Sequence, residues 1–474
     1  MHKSASRETV TSLHDLSAVD LMAGFRAKQF SPTEVLKDVL THIAVWEPHI
    51  KALYAFDPEG ARATAKASTE RWHKGEPMGP LDGIPVTIKE NIATKGVPVP
   101  RGAITTKLVP AAADAPPAAR LREAGAVIFS KTTMPDYGML SSGLSSFHPL
   151  TRNPWDLGKN PGGSSAGAAA AAAAGYGPLH LGTDIGGSVR LPAGWCGVVG
   201  LKPSLGRIPI DPPYVGRVAG PITRTVDDAA LMMRVLSRPD RRDGMGLPSD
   251  NINWKALDKS SRKLRIGLML DLGVGQALEQ EVRDVAVKAA RAFESAGAVV
   301  TEVPGVLTRE MLDGLDAFWR VRSWDEDLSG LTPAERARAL PYIYKWAESG
   351  AKLTGVDVIR GFNATMAIRS AAAKLFADID YVVSPVSPVV NFAAELASPI
   401  NDPAKPFEHI CYTVPWNMAE NPAISINGGF SASGFPIGVQ IVGRRFDDIG
   451  VLGMAKAFEG LRGPQRPWPS PPKS

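Results

Sequence analysis

Several kinds of protein are excluded by what this 474-residue chain lacks. It has only two cysteines, Cys196 and Cys411, both in apolar surroundings. That rules out a disulfide framework and predicts two buried free thiols in a reducing compartment, with the cytoplasm as the expected location. There is no CxxC, no HExxH and no His/Cys cluster, and the eight histidines are scattered, so no metal site is expected. No breaker-free apolar run reaches about 18 residues, which excludes an evident membrane span. The opening MHKSASRETV has no apolar signal core. Charge is modest, +5 net with 21% charged residues, and no basic block stands out, so no nucleic-acid partner is expected.

What is present is an ordinary globular composition, 44% hydrophobic, on a chain long enough for a deep core. Strand and helix patterns alternate along it without an internal repeat. The expected fold class is therefore α/β: a mixed, largely parallel central sheet covered by helices on both faces. One domain over residues 1–462 is expected, followed by a Pro-rich tail, 463–474, with little order of its own. Ser31-Pro32-Thr33-Glu34 predicts a capped helix start, with an end at Glu47-Pro48. Residues 84–88 predict a buried strand ending at Lys89, and 264–303 a β-α-β crossover. The stretch 308–376 is helix-rich and is expected to shape a substrate site; Trp319 and Trp324 within it are expected in the core.

The densest chemistry lies in residues 158–206. Two Gly-Gly-Ser clusters, Gly162-Gly163-Ser164-Ser165 and Gly186-Gly187-Ser188, flank the Ala run 166–174. Glycines beside a serine let backbone N–H groups approach a ligand, and the Ala run favours a helix opening at the first cluster. Gly/Ser stretches are often linkers, but these flanks are apolar. Serines on such turns point to nucleophilic acyl chemistry. Lys89, at a strand end, is a solvated lysine or a functional one.

Three motifs together resemble the amidase signature family. Asn160 to Gly167 looks like its Gly-Gly-Ser-Ser signature, Gly182 to Ala193 like its nucleophile turn, and Asp82-Gly83-Ile84-Pro85 through Lys89 like its lysine strand. Gly197–Pro203 and Gly220–Ala229 also fit, and the resemblance spans nearly the whole chain, with 240–375 matching in layout only. It implies a serine–cis-serine–lysine triad. Ser188 would be the nucleophile, Ser164 the bridging serine after a cis bond from Gly163, and Lys89 the base. Ser164 and Ser188 stand 24 residues apart, the family's interval. On these terms the N–H groups of Ile185, Gly186, Gly187 and Ser188 form an oxyanion hole. Gly163, Ser165, Asp184 and Arg190 support the turns, the last two through charge-assisted hydrogen bonds.

The expected lining, Met134, Tyr137, Met139, Leu140 and Trp416, with Ile185, is mostly apolar and favours an uncharged aryl or medium-chain substrate. The resemblance implies hydrolysis of amides, with carbamates (urethanes) and esters also in range. It requires no cofactor and no partner beyond a small-molecule substrate; a homodimer is compatible. The second reading is the amidase subunit of a glutamine-dependent tRNA amidotransferase, which needs charged groups to fix glutamine. Two decoys remain. Gly163 to Gly167 also fits G-x-S-x-G, which would make Ser165 the nucleophile with His180 or His409 downstream. Cys196 beside Lys202 resembles a Cys-Glu-Lys site. Two positions depart from the family pattern: Ala166 and Glu420 stand where glycine is usual.

Overall fold

The computed structural model describes residues 12–472. Its described residues form a single sheet of eleven strands. In chain order these are β1 (Leu53–Tyr54), β2 (Pro85–Lys89), β3 (Val127–Thr132), β4 (Leu179–Asp184), β5 (Val199–Lys202), β6 (Val218–Thr223), β7 (Arg265–Leu268), β8 (Val299–Glu302), β9 (Tyr381–Pro385), β10 (Ala423–Phe430) and β11 (Pro436–Gly443). Across the sheet they run β1-β3-β2-β4-β6-β5-β10-β11-β9-β7-β8.

The mixed α/β class is as expected, but parallel pairing is confined to two flanks, β3-β2-β4 and β9-β7-β8. The centre, from β4 through β6, β5, β10 and β11 to β9, is antiparallel. The reason is connection length. β10 and β11 are joined by a short turn, which can only reverse the chain, whereas β7 reaches β8 through the helix Gln280–Ser295 and so returns parallel.

Alternation along the strands places apolar groups on two sides. In β11, Ile437, Val439 and Ile441 enter the larger apolar cluster with the helices Val226–Leu236, Gln280–Ser295 and Asp448–Leu461. On the other side, Gly438 lies against Gly194 of the helix Arg190–Cys196, and a Cβ there would sit 2.6 Å from the Gly194 Cα. Helices therefore cover both faces. The Ala run forms the helix Ala166–Ala174, buried all round, as a helix without a polar face must be.

Local signals locate several boundaries. Ser31 Oγ accepts from the Glu34 N–H at 3.2 Å while the Glu34 carboxylate accepts from the Ser31 N–H at 2.8 Å. That helix runs Pro32–Ile50, past the expected stop at Pro48. Proline's φ is helical, and in the last turn it interrupts few bonds. Residues 463–472 hold no helix or strand, yet the Trp468 ring lies 4.4 Å from the Arg224 guanidinium and 6.4 Å from the Trp155 ring. No helix among the described residues is long and apolar enough to cross a membrane.

Candidate active site

In β2, Val86 and Ile88 enter the larger apolar cluster, so Thr87 and Lys89 face the opposite way. Lys89 is fully buried; its Nζ donates to Ser164 Oγ at 2.7 Å and to Thr183 Oγ1 at 3.0 Å. Burial pushes the ammonium down to about 7, against the opposing pull of the Asp184 and Glu90 carboxylates. Lys89 is thus a lysine that can be neutral near physiological pH, and it already touches a hydroxyl.

Ser164 follows a cis peptide bond from Gly163 and stands just before the Ala166–Ala174 helix. Gly163 has no room for a side chain, since a Cβ would lie 2.5 Å from the Ser142 backbone. The two Gly-Gly-Ser turns are stitched together by Ser165. Its N–H donates to the Ser188 carbonyl at 3.1 Å. Its buried hydroxyl donates to the Thr183 carbonyl at 3.2 Å and accepts from the Thr183 N–H at 3.3 Å. A hydroxyl so engaged is a clamp, which removes the G-x-S-x-G reading. The proposed histidine partners fit no better: the His180 ring is bound to Thr87 and the Gly177 carbonyl, far from a catalytic role. The Cys196 decoy fails as well, because burial pushes that thiol up, away from the reactive thiolate.

The Ser188 turn is held from below by Asp184. This buried carboxylate accepts from the N–H groups of Gly187 (2.8 Å) and Val189 (3.0 Å), from Arg190 Nε and Nη2 (3.0 and 2.9 Å), and from Asn417 Nδ2 (2.8 Å). Burial alone would raise its pKa, but the Arg190 charge and these hydrogen bonds hold it well below the usual carboxylate range. Arg190, equally buried, also donates to the Thr413 carbonyl, Gln440 and Asn417, tying the turn to β11 and to the 413–417 segment. One expected oxyanion donor is corrected here. The Gly187 N–H is committed to Asp184, whereas those of Ile185, Gly186 and Ser188 have no partner among the described residues. Gly187 contributes backbone shape instead: its φ is +127°, and a Cβ would lie 2.4 Å from Thr413 Oγ1.

Ser188 is half-buried and lies on the wall of a narrow cleft. Met139, Leu140, Ile185, Trp319, Tyr342 and Phe407 line it, with Ser141 and His409. Of the expected lining residues, Met139 and Leu140 are there. Met134 is not; it is buried beneath Gly138, its Cε 3.1 Å from where a Cβ of that glycine would be. Trp416 is buried against Phe376 in the core. Tyr137 sits to one side, its hydroxyl bonded to Thr105 and its ring under Arg101. Trp319 is buried in the core as expected and also reaches the cavity, as does Tyr342, so the 308–376 stretch lines part of it. The sequence offers His409 only as a triad candidate; the cavity gives it a different setting. A larger groove runs along Trp72 and Trp254; it shares no lining residue with this cleft, and no serine, threonine or cysteine lines it.

The glycine-to-glutamate departure at 420 also has a physical account. Glu420 takes φ +65°, the left-handed conformation that glycine adopts freely, and its buried carboxylate is held by Arg369 and Arg445.

Comparison with known proteins shows the family and the fold. A family model described as Amidase matches residues 34–452. An acylamidase from Rhodococcus erythropolis is 34% identical over 478 residues, covering 97% of each chain. A glutamyl-tRNA(Gln) amidotransferase subunit from Chloroflexus aurantiacus is 33% identical, covering 95% of this chain and 98% of its own. Among solved structures, a bacterial aryl acylamidase of the amidase signature enzymes superposes with a TM-score of 0.87 at 29% identity, covering 95% of this chain and 97% of its own. A 6-aminohexanoate cyclic dimer hydrolase complexed with substrate does so with 0.84 at 27% identity, covering 95% and 98%. With the family model matching most of the chain and relatives matching it end to end, this protein belongs to the amidase signature family and is an amidohydrolase of C–N bonds.

Proposed function

We propose that this amidase is a stand-alone hydrolase of uncharged aryl or medium-sized acyl amides, with carbamates and esters also in range, acting through an acyl-enzyme on Ser188. The observation that carries the reading is the buried Lys89, near-neutral in pKa and bonded to Ser164, beside a serine that opens on an apolar, aromatic cavity. In the first step Ser188 Oγ bonds to the substrate carbonyl carbon and gives its proton to Ser164, whose own proton passes to the lone pair of neutral Lys89. The developing oxyanion is met by the free N–H groups of Ile185, Gly186 and Ser188, held in place before the reaction. The C–N bond then breaks, the leaving nitrogen takes the proton back along the same route, and water cleaves the acyl ester by the same base.

The amidotransferase relative keeps a second reading in view. The cavity beside Ser188 weighs against it, since no Asp, Glu, Lys or Arg stands among its lining residues to fix the charged ends of glutamine. A turnover panel on the purified chain separates the two: an aryl amide, the matched carbamate, the matched ester, and glutamine. Turnover of aryl substrates by the chain alone is expected. Glutamine turnover alone, or silence throughout, would put the amidotransferase reading first.

The base also sets a pH profile. Below its pKa Lys89 is charged and cannot accept a proton, so kcat/KM is expected to rise about tenfold per pH unit below about 7 and to level off above it. A profile that falls steadily from pH 6 to 9 would remove Lys89 as the base.

A further inference from the structure

The 408–413 segment is strapped to the Ser188 turn. Thr413 Oγ1 donates to the Gly186 carbonyl at 2.7 Å, and the Ile410 Cδ1 lies 3.3 Å from where a Gly186 Cβ would stand. On this segment, in the short turn Glu408–Ile410, sits His409. It is 2% exposed, it lines the cavity that holds Ser188, and neither ring nitrogen has a hydrogen-bond partner among the described residues. The cavity's other large polar side chain is already engaged: the Tyr342 hydroxyl donates to the Asp402 carbonyl at 3.1 Å.

An imidazole buried with no protein partner for either nitrogen is costly unless another group supplies those hydrogen bonds. The lining includes Ser141 and Ser398 beside Trp319, Phe407 and Ile410, yet none of these side chains bonds the ring. The ring is neutral at any working pH, because burial alone pushes its pKa down to about 3. A neutral imidazole offers one N–H donor and one lone-pair acceptor. In an apolar cavity without charged lining residues, the complementary partner is an uncharged hydrogen-bonding group, since a carboxylate or ammonium would be desolvated there without a counter-charge.

We propose that His409 is a substrate-positioning residue that hydrogen-bonds an uncharged polar group carried by the substrate away from the scissile bond. The preferred substrates are then aryl amides or carbamates bearing a second hydroxyl, ether, amide or carbamate group, and the plain aryl analogue is the poorer one. The inference rests on the reading of Ser188 and its cavity as the catalytic site.

The test uses isosteric anilides that differ only in a para hydroxymethyl or a para ethyl group, placed on the aniline ring in one series and on the acyl ring in the other. Affinity is measured calorimetrically on the Ser188→Ala protein, so that the result is independent of turnover, and kcat and KM are measured on wild type. In at least one series the hydroxymethyl compound is expected to bind about tenfold tighter than its ethyl partner, the scale set by leaving a buried polar group unpaired. The ratio is expected to collapse toward one in Ser188→Ala/His409→Leu and to be partly restored in Ser188→Ala/His409→Gln, which keeps a donor and an acceptor. A structural role for His409 would shift both compounds alike and leave the ratio intact. Equal affinities in both series, a ratio unchanged by His409→Leu, or no binding of either compound would overturn the proposal. Loss of the proposed function reads separately, as absence of wild-type turnover of the plain anilide.

Discussion

Ser188→Ala is expected to lower kcat by roughly 10⁴–10⁶-fold on an aryl amide, while leaving the unfolding transition within about 1 kcal/mol of wild type. The size follows from the loss of the only group offered here as the covalent nucleophile; the residual rate would come from the three free backbone donors and from binding. The small stability effect follows from position, because Ser188 is half-buried at a cavity wall and its hydroxyl has no partner among the described residues. Steady-state turnover together with mass spectrometry of the trapped acyl adduct checks both halves. An adduct on Ser165, or a near-normal Ser188→Ala rate, would show that the chemistry belongs elsewhere. Ser165→Ala is the informative contrast. Its hydroxyl clamps Thr183, so its removal is expected to act through the alignment of the two turns.

Arg190→Met is expected to cost about 3–5 kcal/mol of stability at pH 7. The variant removes one partner of a fully buried ion pair and leaves Asp184 charged in an apolar interior, together with unpaired acceptors on Thr413, Gln440 and Asn417. Denaturant unfolding measures the loss. Its pH dependence distinguishes this cause from lost packing. In wild type the Asp184 carboxyl is held below its unfolded pKa, so its contribution is fully present above that value and lost only as pH falls through the much lower folded one. Without the guanidinium, burial raises the folded pKa, the folded variant takes up a proton first, and its stability gains as pH falls. The gap to wild type should therefore narrow between pH 7 and 5. A gap of constant size would point to packing alone. Because Asp184 also holds the Gly187 and Val189 N–H groups, activity should fall with stability in this variant.

Much of this chain is legible without a structure, and the reason is locality. The capping box at Ser31, the strand reaching Lys89, the helix in the Ala run and the crossover from β7 to β8 are each encoded within a few dozen neighbouring residues. So are the glycines around Ser164 and Ser188, because a backbone that must approach another closely leaves no room for a Cβ. The motifs that carry the family resemblance are of this kind.

What tertiary structure alone decided are the meetings between distant segments. Whether Gly187 offers its N–H to a substrate or to Asp184 is invisible in the motif, since any of four consecutive donors satisfies it on paper. Met134 and Met139 are five residues apart and equally apolar, yet a turn through Tyr137 at φ +53° separates them, one entering the core and the other the cavity. Trp416 leaves its expected place for the same reason, while Trp319, in the core as expected, also reaches the cavity: composition records that a side chain is large and apolar, not which surface it covers. The antiparallel pairing of β5 with β10 and the unpaired ring of His409 beside Ser188 likewise depend on contacts between segments about two hundred residues apart, and no local pattern in the chain encodes those.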